Sequence, residues 1–224
     1  SLESFSYTVS HDLRGPIRNM IGLSTLLQRR KKDDEDLQEI TSTIVHNAYK
    51  MNQLVEDILG FAKASNSPLN FRQLDMTQIF AEAYEELREE EDNREIHFEL
   101  DPLKVAEGDP ALIRQVVINL LSNALKYTRQ QPETHISVKG MEQEDGDYLY
   151  LVKDNGAGFD EARKAELFQP FRRLHEESEF EGNGVGLAFS QKIVERHQGK
   201  LWAESAPNQG ATFYFTLPMQ TSQN

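Results

Sequence analysis

From Leu2 to Leu27, apolar or small residues recur at Leu2, Phe5, Val9, Leu13, Pro16, Met20, Leu23 and Leu27. Steps of three and four place them along one face of a helix. After the charged break Arg29–Asp36 the rhythm resumes at Leu37, Ile40, Ile44, Ala48, Met51, Val55, Ile58 and Ala62. At about 1.5 Å per residue this predicts two helices of roughly 40 Å each. A hairpin so thin cannot bury both stripes within itself, so the economical solution is a second copy and a dimeric four-helix bundle. Residues 1–64 therefore read as a dimerisation element.

The polar, proline-containing run Lys63–Asn70 (KASNSPLN) reads as the start of a linker, placed at residues 65–70, and the pattern then changes. Within residues 71–218, alternating windows at Ile96–Leu100, Ile136–Met141, Tyr148–Val152, Lys200–Glu204 and Thr212–Leu217 predict strands. Helical windows lie between them at Met76–Glu90, Pro110–Tyr127 and Gly186–His197. Several strands follow one another without an intervening helix. The expected fold is therefore α+β, with helices on one face of a mixed sheet, and not a doubly wound parallel sheet. Residues 219–224 form a polar tail expected to fray.

Charge and composition exclude several classes. With 24 Lys and Arg against 37 Asp and Glu the formal charge is −13, which argues against a nucleic-acid binder because phosphate neutralisation needs excess cations. The absence of cysteine rules out disulfide scaffolds and thiol chemistry, so any metal must be held by oxygen or nitrogen. No apolar run approaches the roughly 18 residues needed to cross a bilayer, and SLESFSYTVS lacks the regions of a secretory signal. The sequence thus reads as a soluble, cytoplasmic piece of a longer protein that makes no membrane contact itself.

Four clusters carry candidate chemistry. In Ser10-His11-Asp12-Leu13-Arg14-Gly15-Pro16 the stripe residues are Val9, Leu13 and Pro16, so His11 points away from the seam. Pro16 inside the helical pattern should loosen the turn just after His11. The Asp12 carboxylate can keep one imidazole nitrogen protonated and leave the other as a nucleophile; in isolation the pair reads more readily as a surface His beside an Asp. Of the other histidines none is paired for metal binding, and His197, ending a helix before Gly199, sits where a partial positive charge is favourable.

The helix Pro110–Tyr127 carries Asn119, Asn123, Lys126 and Tyr127 on one face, with Leu112, Val116, Leu120 and Ala124 turned to the core. Amide oxygens can complete a Mg²⁺ shell, an ammonium can meet phosphate and a phenol ring can lie against a base. A solvated polar face is the competing reading. Asp154-Asn155-Gly156-Ala157-Gly158 follows a strand but continues into the helical pattern Phe159–Arg163, which disfavours a hairpin. A strand-end carboxylate before side-chain-free residues suits an exocyclic amine on a flat ring. Finally Gly182-Asn183-Gly184-Val185-Gly186-Leu187 opens a helix, offering free N–H groups to phosphates. The stretch Arg172–Glu181 before it reads as a mobile lid, with Arg172 and Arg173 as candidate phosphate contacts.

These pieces in this order, together with FQPF and Gly210-Ala211-Thr212, closely resemble the two-component sensor histidine kinases, and within them the phytochrome-like members whose phosphoacceptor box begins Ser-His-Asp-Leu-Arg. The resemblance spans Phe5 to about Pro218. It implies a dimerising histidine-phosphotransfer hairpin followed by an ATP-binding α/β sandwich of the kind shared with gyrase, Hsp90 and MutL. It implies His11 as phosphoacceptor and Asp12 as the acid that accepts its other ring proton. Asn119 and Asn123 match the box that holds Mg²⁺, with Lys126 on phosphate and Tyr127 by adenine. Asp154 matches the residue that reads the adenine amine, with Gly156 and Gly158 beneath the base. Phe168 and Phe171 match the F box, and Arg172 or Arg173 matches a γ-phosphate contact. Gly182, Gly184 and Gly186, with Val185 and Leu187, match the second glycine box, and Thr212 a position near adenine. The implied reaction is transfer of the γ-phosphoryl of ATP to His11, then to an aspartate of a response-regulator receiver domain, within a homodimer.

One departure stands out. Family members with strong phosphatase activity carry Thr or Asn four residues after the His, where this chain has Gly15, so weak phosphatase activity is expected. The rival is a gyrase- or Hsp90-like ATPase, but those enzymes place a water-activating Glu four residues before the Mg²⁺-binding Asn. Here that place is Asn119, and an amide cannot accept the proton. A nucleotide-binding scaffold without transfer is the remaining alternative.

Overall fold

The computed structural model describes residue 13 and residues 17–29, 35–66, 68–89, 91, 94–143, 146–170, 172, 174, 180 and 184–218. The chain divides into two compact units, Ser1–Asn66 and Ser67–Asn224.

In the first unit, helix α1 (residues 17–29) and helix α2 (Glu35–Asn66) form the expected hairpin. Helix α2 continues through Lys63–Asn66, four residues further than the linker reading began. Nothing in Lys-Ala-Ser-Asn breaks a helix, whereas Pro68 disfavours the helical conformation at the residue before it. The seam inside the hairpin is built from Ile17, Ala48 and Val55, with Ile21 packed beside them. Ser24 and Thr41 are also buried, and Thr41 Oγ1 donates to Leu37 O at 2.7 Å. Gln38 Nε2 donates to Gln28 O at 2.8 Å and ties the helix ends together. Most of the stripe read from α1 is not this seam. Leu13, Met20, Leu23 and Leu27 are exposed, as are Ile40, Ile44 and Met51 of α2. Each helix therefore carries two apolar stripes, one closing the hairpin and one left open.

The second unit is a mixed-sheet α/β layer, as expected. Five strands run in the order β2 (Ile96–Leu100), β4 (Thr134–Glu142), β5 (Asp147–Asp154), β7 (Ala211–Pro218), β6 (Leu201–Ser205). The β2–β4 pair is parallel and the others antiparallel. Two short strands missed by periodicity, β1 (Arg72–Leu74) and β3 (Ala106–Gly108), pair separately and antiparallel. Helix α4 (Pro110–Tyr127) packs between α3 (Met76–Arg88) and α5 (Gly186–Arg196) and against the sheet. The interface is filled by Ile113, Val116, Leu120 and Leu121 of α4 with Ile136, Tyr150, Phe213 and Phe215 of the sheet, all buried. Tyr150 stacks on Phe215 at 5.0 Å.

The start of α4 shows why the chain turns there. Pro110 opens the helix, and Asp109 caps it by accepting from the N–H of Ala111 and Leu112. Asp109 N–H in turn donates to His197 Nε2 at 2.9 Å, while His197 Nδ1 lies 2.8 Å from the Ile193 carbonyl. A carbonyl only accepts, so Nδ1 carries the proton and Nε2 the lone pair: the ring is neutral. His197 thus ends α5 as read, but as a neutral ring it supplies none of the positive charge that this position favours. Burial, its dominant influence, pushes its pKa down, and the ring pins the end of α5 to the start of α4. The helical reading of Phe159–Arg163 is also revised, to a 3₁₀ turn at Glu161–Glu166 capped by Asp160.

Candidate functional site

Helix α4 presents its amide face toward the start of α5 and the β5 end. Asn119 Nδ2 donates to Ser190 Oγ at 2.9 Å. A Cβ at Gly186 would collide with Asn119 Oδ1, so α5 can begin against α4 only because residue 186 has no side chain. Asn123, one turn on, is 9% exposed, and among the described residues its amide makes no hydrogen bond. A buried amide without a partner costs free energy unless a ligand completes it. Lys126 Nζ lies 4.2 Å from the centroid of the Tyr127 ring.

At the end of β5, Asp154 is 3% exposed. Its Oδ1 accepts from Gly156 N–H at 2.8 Å and Ala211 N–H at 3.2 Å; among the described residues Oδ2 has no partner. Burial pushes the carboxyl up from its ordinary 3.8 to about 6, although both backbone N–H groups pull it down. The loop that follows is stitched on both sides. Ala157 N–H donates to Tyr127 O at 3.0 Å, Asn208 N–H to Ala157 O at 2.7 Å, and Gly210 N–H to Gly156 O at 3.0 Å. A Cβ at Gly156 would sit 2.6 Å from Tyr127 O, so the loop lies flat against the end of α4. Thr212 follows in β7, paired with Lys153 and Glu204.

These contacts join one continuous region. It contains Asn119, Asn123, Lys126, Tyr127, Asp154, Gly156, Gly158 and Thr212, with Gly184, Val185, Gly186 and Leu187 at the entry to α5. Gly184 lies against the Arg172 backbone, so Arg172 belongs to the same border, while Phe168 is half-buried in the turn after Glu161–Glu166. His11, Asp12, Gly15, Phe171, Arg173 and Gly182 lie outside the described residues.

Sequence reasoning missed three parts. Ser190 holds Asn119. Ser205 Oγ donates to Gly210 O at 2.6 Å and accepts from Phe159 N–H at 2.9 Å, closing the loop from beneath. Phe180, read as part of a lid, is buried and meets the Tyr127 ring edge-on at 5.0 Å. Its signal was available: one aromatic inside HEESEFEG is an anchor and not a solvated position. The residues fit a magnesium nucleotide, since two polar groups, the Asn123 amide and Asp154 Oδ2, are buried and unspent where amide and carboxylate oxygens have uses for phosphate-bound Mg²⁺ and for an amine.

The fold and its polar face are those of an ATPase-type α/β sandwich. Residues 108–221 match the family described as "Histidine kinase-, DNA gyrase B-, and HSP90-like ATPase", and residues 1–67 match the "His Kinase A (phospho-acceptor) domain". The chain belongs to the histidine kinases. It is similar to cyanobacterial phytochrome A of Nostoc sp. (33% identical over 221 residues, covering 97% of this chain and 28% of that protein). It is also similar to the adaptive-response sensory kinase SasA of Thermosynechococcus vestitus (33% over 224 residues, 94% and 58%). Among solved structures, full-length ShkA in complex with AMPPNP superposes with a TM-score of 0.75 at 24% identity, covering 98% of this chain and 46% of that one. The catalytic domain of histidine kinase ThkA gives 0.55 at 29% identity, covering 66% and 95%. The chain thus spans 28% and 58% of the length of these two relatives. No described helix is long and apolar enough to cross a membrane.

Proposed function

We propose that this chain is the catalytic core of a two-component sensor histidine kinase. It works as a homodimer, binds ATP with Mg²⁺ in the second unit, transfers the γ-phosphoryl to His11 and passes it to an aspartate of a response-regulator receiver domain. The observation that carries the reading is Asp154. One carboxylate oxygen is fixed by two backbone N–H groups while the other has no partner among the described residues, the arrangement needed to accept from the exocyclic amine of adenine.

The remaining roles follow from chemistry. The flat backbone at Gly156 leaves room for the base, with Tyr127 and its Phe180 support beside it. The Lys126 ammonium and the N–H groups at the start of α5 favour phosphate. Asn123 and Asn119 are the residues that would hold Mg²⁺, which when bound neutralises phosphate charge. A His11 nitrogen supplies its lone pair to phosphorus as the β–γ bridging P–O bond breaks and ADP leaves. The attacking nitrogen carries no proton to lose, because Asp12 holds the ring proton on the other nitrogen. Gly15 offers no side chain to position a water, so transfer outweighs hydrolysis of the phosphorylated regulator.

Incubation with γ-labelled ATP tests this. The expected result is an alkali-stable, acid-labile label that His11→Gln abolishes. Release of inorganic phosphate with no retained label would identify the gyrase-like ATPase instead, and nucleotide binding with neither would identify a scaffold.

A further inference from the structure

We propose that the exposed edge of the five-stranded sheet carries a transition-metal site in which His97, His135 and Glu133, with Glu95 completing the set, bind an ion of the Zn²⁺ or Cu²⁺ class. The sequence reading found no histidines paired for metal binding, because these two are far apart along the chain. Parallel pairing of β2 with β4 makes them direct register partners, and their rings stack with centroids 4.8 Å apart and planes 12° from parallel.

A Glu stands two residues before each histidine, in Glu95-Ile96-His97 and Glu133-Thr134-His135, immediately ahead of the first residue of β2 and of β4. The carboxylates lie close to the rings: His97 Nε2 is 3.7 Å from Glu95 and His135 Nε2 is 3.5 Å from Glu133. One ligand atom from each of His97, Glu133 and His135 falls within 4.8 Å of the others, the one such group among the described residues. In a tetrahedral site with bonds of about 2.0–2.1 Å, ligand atoms are roughly 3.3 Å apart. The two imidazoles are 47% and 56% exposed, so side-chain rotation alone can close that gap. Two imidazoles with one or two carboxylates select Zn²⁺, Cu²⁺ or Ni²⁺ over Mg²⁺ or Ca²⁺, which prefer oxygen.

The backbone beneath is already fixed. His135 N–H donates to Asn155 Oδ1 at 2.9 Å and Asn155 Nδ2 to Glu133 O at 2.9 Å, while Arg94 Nη2 holds Thr134 Oγ1 at 2.7 Å. Among the described residues, β2 is an edge strand that pairs with β4 alone. A metal bridging the two would clip that edge, an effect independent of the nucleotide reading.

The test is calorimetric titration of the full chain with Zn²⁺, without nucleotide or Mg²⁺, alongside thermal unfolding and the electron paramagnetic resonance of added Cu²⁺. The expected result is binding tighter than about 100 μM, an unfolding midpoint raised by about 3–5 °C at tenfold excess over Kd, and a Cu²⁺ spectrum showing two imidazole nitrogens. His97→Ala and His135→Ala should each weaken binding at least tenfold, whereas His46→Ala should leave it unchanged. No binding at 1 mM Zn²⁺, or a loss smaller than tenfold in either histidine variant, would overturn the proposal.

Discussion

The two units are unfinished in opposite ways. The hairpin buries Ile17, Ala48 and Val55 but leaves a run of large side chains open, with Leu23 64% exposed. The second unit buries its large apolar side chains around Tyr150, Phe80 and Phe215, with only scattered ones such as Phe71, Val105 and Met141 exposed; among the described residues, what its site leaves unspent is polar, the Asn123 amide and one oxygen of Asp154. An open apolar stripe is satisfied by another apolar surface, and buried polar atoms without partners are satisfied by a small polar ligand. The two partners proposed for the chain, a second copy of itself and a nucleotide, match these two kinds of unfinished surface.

The largest effect should come from breaking the apolar half. Leu23→Lys with Leu27→Lys removes two open-stripe residues per hairpin and four per dimer. At about 1.5–3 kcal/mol for each buried leucine, the loss is on the order of 6 kcal/mol or more. Analytical ultracentrifugation should show monomers, while the unfolding midpoint of the second unit should not move. A variant that stayed dimeric at micromolar concentration would end the distinction between the two stripes.

Next in size is the polar half. Burial holds the Asp154 carboxyl near 6, above its ordinary 3.8. The folded chain therefore binds more protons than the unfolded chain between those values. Stability falls as pH rises through that window and then levels, at a cost of about 3 kcal/mol. An adenine amine needs the ionised form, so nucleotide affinity should move the other way, weakening as pH drops below about 6, with proton release on binding there. Asp154→Asn separates the two: it turns an amide N–H toward the amine, so affinity should fall about a hundredfold while the midpoint of the free protein at pH 8 rises. A lowered midpoint with affinity intact would refute the role of Asp154 as the deliberately unspent group.

Much of this was legible because it is local. The bounds of α4 follow from Asp109, Pro110 and the 3.6-residue rhythm, and β5 and β7 from alternation. What escaped depends on contacts between distant segments. Strands β1 and β3 are three residues each, too short for a period to show. Periodicity showed the stripe of Leu13, Met20 and Leu23 that the hairpin leaves open, but not the second stripe of Ile17 and Ile21 that closes it, because two stripes on one helix look alike until a partner helix selects one. The register of a parallel pair leaves no mark in sequence, so His97 and His135 looked unrelated. The boxes around Asn123 and Asp154 were readable from their residue types, but Ser190, Ser205 and Phe180, which fix their geometry, come from other elements.

A smaller effect probes the shape of the polar site without touching its charge. Gly186→Ala would drive a Cβ into Asn119 Oδ1, and Asn119 cannot swing freely because its Nδ2 is bonded to Ser190. Such overpacking costs about 1–3 kcal/mol, and α5 must shift away from α4. Nucleotide affinity should drop about tenfold with a modestly lower midpoint. Adding Ser190→Ala, which frees Asn119 to move, should recover part of that loss; no recovery would show that Gly186 matters through something other than Asn119.

The smallest predicted effect sharpens the claim that the second unit is closed without help. His197 is neutral because Asp109 N–H occupies its lone pair and Ile193 O takes its proton, and burial lowers its pKa below the ordinary 6.5. For a base with a lowered folded pKa, the stabilisation is fully present above pH 6.5 and is lost as pH falls through and below it, because the unfolded chain takes up the proton first. This slope opposes that of Asp154, so the two partly cancel in the native chain. His197→Gln can keep both hydrogen bonds, accepting from Asp109 and donating to Ile193, without titrating in this range. It should stay within about 1 kcal/mol of the native stability at pH 8 and expose the Asp154 slope alone on acidification. His197→Phe loses both bonds, leaves Asp109 N–H without its partner, and should cost about 1–3 kcal/mol at pH 8. Urea unfolding at pH 5, 6.5 and 8 distinguishes them, and equal curves for His197→Gln and the native chain would mean that the ring contributes no proton linkage to the joint between α4 and α5.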